Sequence, residues 1–242
     1  MRPVLFRWRK FNLKSYPAML YFGLLAGVAV GNVAAHASGI DPLRTYAATL
    51  LLIGPALAGS RLLYVATHPV LCRSGLVAIW GRGQGGYCMY GGLPVGLVMS
   101  IPVLRALRLN FCAFWDVAIF TILVGMIFAR VGCLLNGCCA GRTCNARLGM
   151  YLPGHSGFWE QRIPTQILEA FWAAALLISA ILLRPHMRVP GSLFLLVAAG
   201  YACGRFGLEF MREKEFNGAR LTSAHWISLL IVVSSGCALA IR

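Results

Sequence analysis

Apolar residues in this chain run together instead of alternating with polar ones, and they gather into seven stretches. These cover roughly Tyr16 to Ala37, Tyr46 to Ala66, Gly86 to Leu104, Ala113 to Leu135, Pro164 to Leu183, Gly191 to Met211 and Leu221 to Ile241. Each approaches the 20 or so apolar residues that an α-helix needs to cross the hydrocarbon layer, about 1.5 Å at a time. The breaks between them carry turn or charge chemistry: Asp41-Pro42, His68-Pro69, Arg105 with Arg108, Arg184-Pro185, and Arg212 through Arg220. The pattern predicts an all-α polytopic membrane protein of seven transmembrane helices. It forms one domain over residues 16–242, preceded by a basic N-terminal tail over residues 1–15.

Composition agrees. The chain is 59% hydrophobic and only 12% charged, against about a quarter charged in a soluble globule. A net charge of +15 would suit a nucleic-acid binder, but these charges sit on connectors and tails between apolar runs, so they read as topology signals and anionic-lipid contacts. The bilayer is the partner they imply, and nucleic acid is not. Arg2, Arg7, Arg9, Lys10 and Lys14 before an apolar run ending in Ala35-His36-Ala37 resemble a signal peptide, but the run from Ala18 to Ala35 exceeds a signal core of roughly 7–15 residues, and it is kept as the first helix. Orientation stays open. The N-terminal charges favour a cytoplasmic N-terminus, whereas Arg105, Arg108, Arg184, Arg188 and Arg242 favour the opposite.

Ionisable side chains inside apolar segments are costly and point to function. Tyr201, Arg205, Glu209 and Arg212 recur every three or four residues, so a helix places them on one stripe, where Arg205 and Glu209 can pair. A structural ion pair between helices explains them equally well. Arg130 closes the fourth apolar run with no acid near it in sequence. Its counter-charge must come from another helix, from Glu209 or from a bound anion, and phosphate suits a guanidinium fork. A snorkelling arginine is the bland alternative. Glycine-rich segments at Gly83 to Gly96 and Gly132 to Gly141 allow backbone amides to approach a ligand, although helix packing also uses glycine. Cys133, Cys138, Cys139 and Cys144 form the densest thiol group. Their spacing lacks the paired hooks of a structural zinc site, so packing or a disulfide is expected and no metal is.

These residues resemble the prolipoprotein diacylglyceryl transferases, in six blocks that follow the family's order. Ser-Tyr-Pro-Ala-Met at 15 to 19 resembles the start of its first helix and puts Tyr16 on a functional tyrosine. Gly59 to Tyr64 resembles G-R-I/L-x-Y, placing Arg61; Tyr90-Gly91-Gly92-Leu93 falls on H-G-G-L; Asp116 falls on an aspartate near the start of helix four. Ala129 to Arg142 is similar to G-R-I/L-G-N-F-I-N-G-E-x-x-G-R. That match carries Arg130 onto the phosphate-binding arginine and places Asn136, Gly137, Gly141 and Arg142. Leu152-Pro153-Gly154 resembles the F-P-G of a small extracytoplasmic head loop, Pro164 to Glu169 looks like P-S-Q-L-Y-E and places Gln166, and the Tyr201 stripe matches Y…R…E…R.

The resemblance implies a multi-pass enzyme of the bacterial inner membrane. It would move the diacylglyceryl group of phosphatidylglycerol to the lipobox cysteine thiol of a prolipoprotein signal peptide, with no cofactor. Arg130 and Arg205 would stabilise the departing phosphate, and Glu209 would orient Arg205 or act as a base. Tyr90 would stand in the catalytic position that usually holds a histidine. Tyr90, Cys133 and Cys138 depart from the family pattern, so the acceptor half of the site is altered while the phosphate half persists. His155 and His225 are possible substitute bases. Three alternatives stay open: a paralogous enzyme with another acceptor, a non-catalytic anionic-lipid binder or transporter, and a thiol oxidoreductase using Cys138 and Cys139.

Overall fold

The computed structural model describes residues 4–8, 11–67, 89–144, 149–154, 158–212 and 222–241. Seven long helices are present among them: α1 (Ser15–Ala37), α2 (Pro42–Thr67), α3 (Met89–Ala106), α4 (Phe111–Asn136), α5 (Thr165–Leu183), α6 (Ser192–Glu209) and α7 (Ser223–Ala240). Each coincides with one apolar stretch, which is the all-α membrane architecture expected. Five, α1, α2, α4, α5 and α6, are long and apolar enough to cross a bilayer, while the apolar parts of α3 and α7 that are described, Gly91–Ala106 and Ala224–Ala240, are shorter. The expected starts of these two at Gly86 and Leu221, and His155, lie outside the described residues.

Two short antiparallel hairpins accompany the helices. β1 (Val4–Trp8) pairs with β2 (Phe11–Lys14) inside the segment expected to be only a basic tail. β3 (Met150–Pro153) pairs with β4 (Trp159–Arg162), with Leu152 opposite Glu160, where the family resemblance puts a head loop.

Burial is inverted relative to a soluble protein. The buried set includes Ser15, Arg61, Arg162, Thr165, Gln166, Glu169, Arg205 and His225, whereas Val33, Leu43, Phe171 and Leu230 are each about 70% exposed or close to it. Apolar side chains such as Phe114, Trp115 and Leu123 are buried too, and charges buried among them beneath exposed large apolar side chains suit a hydrocarbon solvent.

The chain forms two compact units. One comprises residues 1–34 and 115–242. Within it, Gly23, Gly27 and Gly31 face α4, where an added Cβ would strike Phe128 or Thr121, so α1 lies hard against α4. Gly200 and Gly204 do the same for α6 against α5, with Trp172 Nε1 donating to the Gly200 carbonyl at 3.2 Å. The N-terminus of α6 is capped from α4: Gly191 N and Phe194 N donate to Asp116 Oδ2 and Oδ1 at 2.5 and 2.8 Å. The other unit, residues 35–114, is built on α2 and α3, whose backbones meet at Gly59 and Gly91.

Candidate functional site

Four elements of the larger unit bring their charged residues together. Arg130 comes from the last turns of α4, Glu169 from α5, Arg205 and Glu209 from α6, and Arg212 from the residues just beyond it. Arg130 Nε lies 2.5 Å from Glu169 Oε2, Arg205 Nη1 donates to Glu169 Oε1 at 2.6 Å, and Arg212 Nη1 is 3.8 Å from the same oxygen. Arg205 also reaches Glu209 Oε2 at 2.7 Å through Nη2, the i, i+4 pair its spacing predicts. Glu169 Oε2 and Glu209 Oε2 meet their arginines at ionic distance but off the hydrogen-bond line, so electrostatics more than directed bonding holds these two contacts.

Glu169 is therefore the hub, and the counter-charge of Arg130 is Glu169, not Glu209. The resemblance had placed Glu169 at the end of a matching block without assigning it a role. The signal was available: the chain has only seven acidic residues, and this one lies in an apolar run.

Among the described residues three guanidiniums face two carboxylates, and Glu169 and Arg205 are under one-tenth exposed. Charge so buried is costly unless matched, and the arginines suit an anionic ligand. Arg130 and Gln166 also border a groove of about 230 Å³ between α4 and α5, walled by Ile127, Val131, Leu134, Ile167 and Phe171, whose open surface is apolar throughout. An apolar groove next to the charge cluster fits the acyl part of an amphiphile.

The loop after α4 is fastened to the same place. Gly137 leaves the helix with φ +74, which glycine adopts without strain. Gln166 Nε2 donates to the Cys138 carbonyl at 2.7 Å and Thr165 Oγ1 to the Cys139 carbonyl at 2.8 Å. Gly141 N donates to the Ile163 carbonyl, and a Cβ on Gly141 would strike the Met211 and Ile163 carbonyls, so backbone approach demands glycine there. Arg142 N donates to the Met211 carbonyl while its side chain points outward. Cys133, Cys138 and Cys139 bring their Sγ atoms within 4.8 Å of one another. Donation from Cys133 and Cys138, then Arg212 and Arg130, holds the Cys139 thiol below the ordinary thiol range. Cys144 stands apart, its N donating to the Gln161 carbonyl in the β4 hairpin, and the seven described cysteines are free thiols, so the expected disulfide is not formed.

The other expected residues divide by place. Tyr16 packs on Gly132, within electrostatic reach of Arg130 and the three thiols; Tyr201 is within similar reach of Arg130; Asn136 ends α4 beside Cys138. Arg61, Gly91 and Gly92 belong to the smaller unit. There Arg61 is buried over the Tyr64 ring at 5.5 Å, and the two glycines pack against Gly59 and Ala56 of α2. Tyr90 begins α3, and its side chain lies outside the described residues. His225 is buried, and its Nδ1 accepts from Thr222 N at 3.1 Å, so that nitrogen is engaged in the cap of α7. Thr222 Oγ1 in turn donates to Glu209 Oε1 at 3.2 Å, tying α7 to the cluster.

Comparison with known proteins gives the family. The family model for prolipoprotein diacylglyceryl transferase matches residues 3–241. The chain is similar to the phosphatidylglycerol–prolipoprotein diacylglyceryl transferases of Streptococcus agalactiae (25% identical, covering 96% of this chain and 93% of that one) and Clostridium kluyveri (24%, covering 97% and 94%). It is likewise similar to that of Geobacter sulfurreducens (28%, covering 88% and 83%).

Proposed function

Since the chain belongs to the prolipoprotein diacylglyceryl transferase family, we propose that it transfers the diacylglyceryl group of phosphatidylglycerol to the lipobox cysteine of prolipoproteins in the bacterial inner membrane. The observation that carries this reading is the buried Arg130–Glu169–Arg205 cluster beside an apolar groove that Arg130 borders. All seven helices span, and the β3–β4 hairpin serves as the extracytoplasmic head.

In the reaction a sulfur–carbon bond forms at the glyceryl carbon as the carbon–oxygen bond to phosphate breaks, and glycerol phosphate leaves with the electron pair. Arg130 and Arg205 face the charge that develops on the leaving phosphodiester, held in place beforehand by Glu169, so little reorganisation is needed when it appears. Gln166 and Tyr201 orient the head, Tyr16 and the loop from Asn136 to Arg142 close the site, and Glu209 steadies Arg205. The thiol proton goes to Glu209 or to the residue at the Tyr90 position. Within the smaller unit, Arg61, Gly91 and Gly92 keep the substrate-binding role that the family resemblance implies.

Membranes carrying the wild-type chain are incubated with head-labelled phosphatidylglycerol and a lipobox peptide. The peptide should gain the mass of a diacylglyceryl group as glycerol phosphate is released in equal amount, and Arg130→Ala and Arg205→Ala should each abolish both signals. Lipid cleavage without a lipidated peptide would assign a different acceptor, as the departures at Tyr90, Cys133 and Cys138 suggest. Lipid binding without cleavage would overturn the enzyme reading.

A further inference from the structure

The three thiols of Cys133, Cys138 and Cys139 are not needed for phosphate recognition, yet the fold takes trouble to gather them. Cys133 is buried near the end of α4, the chain reverses at Gly137, and the vicinal pair returns so that all three Sγ atoms converge within 4.8 Å. Cys139 sits at φ +63, a left-handed conformation that costs a non-glycine residue roughly 1–3 kcal/mol when its surroundings impose it. They do impose it: Gln166 and Thr165 hold the carbonyls of the pair from α5. The sequence spacing shows no paired metal hooks because the third thiol is supplied by the helix end, across the reversal.

Three convergent thiols, Cys133 buried and Cys138 and Cys139 half-buried, match the ligand set of a soft d10 cation. Metal–sulfur bonds of about 2.3 Å place coordinated sulfurs roughly 4 Å apart, within the separation already present. We propose that Cys133, Cys138 and Cys139 form a three-thiolate site for a thiophilic divalent cation of the zinc type. Binding forms three metal–sulfur bonds and releases to water the protons of those thiols still protonated, with no change of oxidation state. The site stands apart from the phospholipid reading above.

Purified, reduced, chelator-stripped full-length protein in detergent is titrated with Cd²⁺, followed by thiolate-to-cadmium charge-transfer absorption. One equivalent should bind with a three-thiolate signal. Cys133→Ser, Cys138→Ser and Cys139→Ser should each weaken it by more than about tenfold, because losing a ligand costs at least as much as losing its supporting shell. Cys203→Ser, on the exposed face of α6, should change nothing. Absence of the signal, or its persistence in all three variants, overturns the site. A chain that binds Cd²⁺ yet never lipidates a peptide sinks the transferase reading and leaves the metal site standing.

Discussion

Glu169 separates binding from chemistry. It touches Arg130 and Arg205 at once, so its loss frees both guanidiniums from their shared partner while raising the excess positive charge of the cluster. Glu169→Gln should therefore keep or tighten binding of anionic lipid but lower kcat by about 100-fold or more, because the arginines no longer stand where charge develops. Arg130→Ala, by contrast, should lose the binding itself. Vesicle binding and single-turnover kinetics on the two variants check this, and equal loss of binding in both would refute the positioning role. Residues at this scale were only partly legible in the sequence. The Arg205–Glu209 pair follows from helical spacing, and Arg130 stands out as an arginine ending an apolar run. The contact of Arg130 with Glu169 joins α4 to α5 and depends on how the helices pack, about which periodicity says nothing.

Helices were the most legible elements, since length and hydropathy alone set them; α1 and α5 begin within one residue of their apolar stretches. The β1–β2 hairpin was not, because its strands combine basic and aromatic residues that read as a charged tail. Nor was the cap on α6. Asp116 resembled a family position with no stated task, and the structure gives it one: its carboxylate takes two amides at the positive end of another helix. Asp116→Ala should destabilise the folded protein by about 1–2 kcal/mol, through loss of a charged cap and two stranded donors. Thermal unfolding in detergent should show a lowered Tm with residual activity per folded molecule near that of the wild type. Activity abolished at unchanged Tm would make Asp116 a site residue instead.

The molecule as a whole buries Glu169 and several arginines within a largely apolar core and exposes many large apolar side chains as well. Buried charge is most stable when it is matched, and among the described residues the cluster sets three arginines against two glutamates. A ligand that binds only the folded state raises stability with its concentration, by about 2.7 kcal/mol at one hundred times its dissociation constant. Phosphatidylglycerol, with one negative phosphodiester and no cationic group, matches the excess. A zwitterionic phospholipid brings a compensating cation into the groove and gains little. Adding phosphatidylglycerol to the detergent-purified protein should thus raise Tm by several degrees, while equal phosphatidylethanolamine should not. Because the pair is buried, the shift should survive moderate salt, unlike the surface attraction arising from the +15 net charge. Arg130→Ala should erase the difference between the two lipids. If both lipids stabilise alike, or if salt removes the preference in the wild type, lipid recognition resides on the basic surface rather than in the cluster.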